Sequence, residues 1–76
     1  MTTDRAALVA IAERIAETEN RVSQLRERVE RLNSEGSDTS QAQEALVVIS
    51  RNLANLYLRQ SVMRRTAWAW HAAKAG

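Results

Sequence analysis

The side chains that could do acid–base or nucleophilic chemistry are few and scattered. The single histidine, His71, stands close to the end of the sequence, and no acidic residue follows Glu44 to orient or charge it. Ser61 and Thr66 lie on the same run, without a third group to activate either hydroxyl. General acid–base or nucleophilic catalysis needs such groups to converge in a water-excluded pocket. No catalytic residue, cofactor or small-molecule substrate is therefore expected, and the chain reads as non-enzymatic. Glu13, Glu17, Glu27 and Glu30 raise the question of a carboxylate-bridged metal pair. Such sites need inward-facing carboxylates and a Glu-x-x-His motif, which is missing. With one histidine and no cysteine, a structural zinc site is excluded as well. The glutamates read instead as a solvated helix face, with Glu17–Arg21 and Glu27–Arg31 as i,i+4 pairs.

The segment from Arg64 to Lys74 is more pointed. Arg64 precedes Trp68 by one helical turn, and Trp70 precedes Lys74 by the same step, a spacing that suits cation–π stacking. Arginine and tryptophan together are also the commonest hot-spot residues of protein interfaces. A basic helix carrying tryptophan has two further uses. It can lie on an anionic membrane surface, or track a phosphate backbone while its rings stack on bases. Arg59, Arg64, Arg65 and Lys74 are the candidate contacts to such an anionic partner. The plain alternative is packing, with Trp70 closing the open end of a helical seam.

The elements that must position these groups are set by heptad spacing. Leu8, Ile11, Ile15, Thr18, Val22, Leu25, Val29 and Leu32 alternate steps of three and four. Leu46, Ile49, Leu53, Leu56, Gln60, Met63, Ala67 and Trp70 repeat the pattern. Sustained spacing of this kind turns one apolar seam toward a partner helix. Between the two runs, Gly36 suits a left-handed helix end. Asp38 then reads as the N-cap of the second helix, with Gln41 at N3 completing a capping box. Thr3 or Asp4 is the candidate cap of the first helix. The fold class expected is all-α: an antiparallel two-helix coiled-coil hairpin forming one unit over 1–76. Its first helix covers about 4–34, its turn about 35–38 and its second helix about 39–73.

The hairpin has two heptad-compatible registers. One sets Thr18 against Leu53 and Ile11 against Gln60. The other sets Thr18 against Gln60, Ile11 against Ala67 and Leu8 against Trp70. The second is preferred, because it matches polar with polar and large with small.

Size and charge bear on partners. Two helices in one layer cannot enclose a core, and a chain of 76 residues without cysteine lacks a covalent staple. The second helix is also apolar beyond its seam, at Val47, Val48, Leu58, Val62 and Trp68. A helix apolar on more than one face is normally buried on more than one face. These five residues are the candidate oligomer interface, and self-association into a four-helix bundle or larger assembly is expected, most simply as a dimer. Trp70 is expected to pack on the seam, leaving Trp68 for another subunit or a further protein partner. The net charge of +2 hides an asymmetry, since Arg51, Arg59, Arg64, Arg65 and Lys74 follow the last acidic residue. No run approaches the roughly 18 apolar residues of a membrane span. Ala6 to Ala12 follows Asp4 and leads into a charged helix, so no secretory leader is read there. A cytoplasmic location is expected, which the lack of cysteine fits.

The stretch from Glu13 to Arg65 resembles a group of short uncharacterised helical-hairpin proteins of rhizobia and related alphaproteobacteria. The residues carrying the resemblance are Glu13-Arg14-Ile15-Ala16-Glu17, Arg21-Val22, Leu32, the turn Gly36-Ser37-Asp38-Thr39, then Ala42 and Ala45-Leu46. Ser40-Gln41 depart from the alanine and glutamate commoner there. The resemblance implies a capped helical hairpin and carries no activity with it. The functional expectation is accordingly a non-enzymatic homo-oligomeric interaction or scaffold module. The alternative is a peripheral binder of an anionic membrane surface or nucleic acid through the second helix.

Overall fold

The computed structural model describes residues 3–75, with side chains described for residues 5–69. Among them the chain is all-helical. Helix α1 spans Thr3–Ser34, helix α2 spans Ser40–Ala75, and the two pack against each other as a hairpin. The molecule is a rod of 62 × 15 × 13 Å. That length is close to the ~54 Å expected for α2 alone at 1.5 Å per residue, plus the turn.

The first helix runs for 32 residues because nothing interrupts it. Proline is absent, and alanine, glutamate and arginine fill the outer positions. It stops at Gly36, which has φ of 72°. The Ser37 N–H donates to the Leu32 carbonyl (2.9 Å), and the Gly36 N–H donates to the Asn33 carbonyl (3.1 Å). This pair of bonds is the Schellman motif, with Gly36 at C′. An added Cβ at Gly36 would meet nothing within 4 Å. Glycine is required there by its backbone conformation alone, which L side chains rarely adopt.

The start of α2 differs by one residue from the expected capping box. The Thr39 carbonyl accepts the first helical bond, from the Gln43 N–H at 2.9 Å, so Thr39 occupies the cap position. Asp38 sits one step earlier. Its Oδ1 accepts from the Ser40 N–H at 2.9 Å and from the Ser40 hydroxyl at 2.7 Å. The glutamine that reaches back is Gln43, whose Nε2 donates to Thr39 Oγ1 at 3.0 Å, not Gln41. The physical reason is reach. With two adjacent oxygen-bearing residues, Asp38 binds a donor two residues ahead, and Thr39 is left to cap the helix.

Burial follows the heptad seam. Ile11, Ile15 and Val22 of α1 and Ala42 of α2 are buried. Leu8, Leu25, Val29 and Leu32 are half-buried, as are Leu46, Ile49, Leu53, Leu56, Met63 and Ala67. The polar interruptions of the seam are half-buried too. Thr18 resolves its hydroxyl locally by donating to the Arg14 carbonyl at 2.7 Å.

The register is the first of the two alternatives, not the preferred second. A shallow groove along one flank has Glu13, Arg14, Glu17 and Arg21 on one wall and Ile49, Asn52, Asn55 and Arg59 on the other. Those stretches are level when Thr18 faces Leu53. In the other register Arg21 would lie level with residue 57 and could not line the groove with Ile49. Ala42, in the first turn of α2, is buried. The turn is in keeping with this register. The Schellman motif reverses the chain at once after α1, whereas the alternative demands a looser reversal centred near Thr39. The match of Thr18 with Gln60 is forgone at little cost, since Thr18 finds its partner within its own helix.

Candidate functional site

Most of the large apolar side chains left exposed among the described residues lie on the outer face of α2. Val47, Val48, Leu58, Val62 and Trp68 are each between 50% and 72% exposed. In the heptad frame of α2 the seam rows hold Leu46, Ile49, Leu53 and Leu56. The row diametrically opposite holds Glu44, Arg51, Leu58 and Arg65 at steps of seven. On its two sides run Val47, Ala54, Ser61, Trp68 and Val48, Asn55, Val62, Ala69, all uncharged. The exposed apolar residues thus lie away from α1, on the back of α2, where the hairpin itself has nothing to cover them.

Two neighbouring regions bear on charge. Arg59, Arg64 and Arg65 are all exposed, and Trp68 stands one turn beyond Arg64 and Arg65. The side chains of Trp70, His71 and Lys74 lie outside the described residues, so the assignments of Trp70 to the seam and Lys74 to an anionic partner fall there too. The same holds for the cap expected at Thr3 or Asp4. On the groove side, Arg14, Arg21 and Arg59 are interleaved with Glu13 and Glu17 and with the amides of Asn52 and Asn55, which leaves the charge mixed.

One contact between the helices is absent from the sequence reading. The Tyr57 hydroxyl donates to Glu19 Oε2 along the opposite flank. That carboxylate holds the phenolic proton in place, pushing the Tyr57 pKa above its ordinary 10.0, with a smaller push from burial. The signal for it is positional. Each residue directly follows a seam position, and such flanking rows meet across an antiparallel pair once the register is known.

Among the described residues no three His, Asp or Glu side chains converge as metal ligands. No described helix is long and apolar enough to cross a membrane. Comparison with protein-family models, curated proteins and solved structures finds no match to this chain.

Proposed function

We propose that the chain is a non-enzymatic homo-oligomeric interaction or scaffold module, most simply a dimer of hairpins containing four helices. One observation carries the reading: the row of exposed valines, Leu58 and Trp68 along the back of α2. Scattered single apolar residues on a surface need no explanation, but these five gather on one face of α2, interleaved with Glu44, Arg51 and Arg65, and such a gathering suits an association surface. The small core gives the same argument from the other side. Four residues of the described hairpin are buried, and chains of this size usually need a partner to supply what one layer cannot. Leu58→Glu puts a charge in the middle of the stripe without touching the seam. The variant should stay helical and lose the mass of the assembly in sedimentation experiments. An unchanged mass would show the stripe to be idle.

The second reading, a peripheral binder of an anionic membrane surface or nucleic acid, is supported by the exposed Trp68 beside Arg64 and Arg65. Binding of that kind weakens steeply with salt. The scaffold reading expects no binding to anionic vesicles or nucleic acid at any salt concentration.

A further inference from the structure

Resting on the self-association reading, we infer that the occupant of the α2 outer face is the same face of a second copy, packed antiparallel with Glu44 against the partner's Arg65. The charges along the central row select both direction and register. That row reads Glu44, Arg51, Leu58, Arg65, all exposed, with uncharged rows on either side. Parallel packing sets every residue beside its own copy, so Arg51 meets the partner's Arg51, Arg65 meets the partner's Arg65, and Glu44 meets the partner's Glu44. Like charges in contact oppose association. Antiparallel packing allows slides of one heptad at a time. One slide sets Arg51 against the partner's Arg51. Another sets Arg51 against the partner's Arg65.

The slide between these two is free of both clashes. It pairs Glu44 with the partner's Arg65 twice, once at each end of the dyad. It sets the Arg51 stem along the partner's Leu58, with Val47 and the partner's Val62 at the same level on opposite edges of the face. Ala54 and Asn55 fall at the two-fold axis, where small side chains let the helices approach. Because an isologous contact repeats each pair, two ion pairs bracket two Arg51–Leu58 contacts. Glu44 is the last acidic residue of the chain, and this is the slide that gives it a cationic partner while covering the stripe as far as Trp68. The outer row lies opposite the α1 seam, so the four helices form a row, α1–α2–α2–α1, in place of a square bundle.

The test is a charge-reversal cycle on the full chain, read as the dimer dissociation constant by sedimentation equilibrium. Glu44→Arg and Arg65→Glu should each weaken the dimer by roughly tenfold, since each change breaks two pairs and sets like charges together. The double variant should return to within about twofold of the wild type. A wild-type dimer whose single-variant losses simply add in the double variant overturns this register and leaves the self-association reading standing. A wild type that stays monomeric overturns both, and the face is then open to anionic vesicles or another protein. The chain has no cysteine, so cross-linking supplies a second readout. Asn55→Cys lies next to the two-fold axis and should form a disulfide-linked dimer. Val47→Cys, 15 positions from its copy across the axis and thus about 22 Å away, should not. Cross-linking of both variants alike would overturn the antiparallel direction.

Discussion

Asp38 shows how much of the turn rests on one side chain. Its carboxylate accepts from the Ser40 hydroxyl and from the Ser40 N–H, and these bonds hold its pKa below the ordinary 3.8. A depressed carboxylate pKa stabilises the fold above the unfolded value. That contribution is lost as the pH falls through the lower, folded value. Asp38→Ala should therefore melt below the wild type at neutral pH, and the gap should close as the pH is taken below the usual carboxylate range. Thermal melts of both proteins from pH 7 into acid measure this. A gap that persists in acid would assign the effect to the backbone of the turn, not to the charge. The cap was legible in outline only. A run of four consecutive polar residues, Ser37 to Ser40, offers several side-chain oxygens that can bind the first helical donors, and sequence spacing does not rank them.

At the scale of the helices, spacing says most about what faces inward. The steps of three and four name Ile11, Ile15 and Val22, and these are buried. They say less about depth. Leu46, Ile49, Leu53 and Leu56 belong to the same seam yet are half-buried, because a single neighbouring helix shields one side of each. Ala42 is buried by its place beside the turn, which no hydrophobicity pattern weights strongly. Spacing alone favours the other register, because matching Thr18 with Gln60 is favourable in isolation. A polar side chain that bonds its own helix removes that preference, and a tight turn removes the slack that the alternative needs. Tyr57 and Glu19 could be paired only after the register was known. Within the seam, Ile15→Ala should cost about 2–5 kcal/mol. Single-core chains of this size rarely exceed about 3–5 kcal/mol in total. The variant should thus lose most of its helical circular dichroism at low concentration. Retention of full helicity there would mean that the hairpin draws its stability from contacts other than this seam.

For the whole molecule, the structure is a rod with one used face and one unused one. The seam residues of α2 turn toward α1, while its back presents Val47, Val48, Leu58, Val62 and Trp68 to solvent. That surplus was legible from the sequence as apolar residues off the seam. Their gathering on the face opposite α1 required the structure, since the heptad frame alone leaves open which helices lie where. If a second copy covers the back of α2, folding and association are one equilibrium, and mass action makes stability depend on concentration. The direct test is the melting temperature of the full chain followed by circular dichroism over a hundredfold concentration range, with the mass measured at each end. We expect the melting temperature to rise steadily with concentration and the mass to be twice the 8.5 kDa of one chain at the upper end. A melting temperature independent of concentration, with a mass of 8.5 kDa throughout, would mean that the hairpin stands alone and that its apolar back serves no second copy.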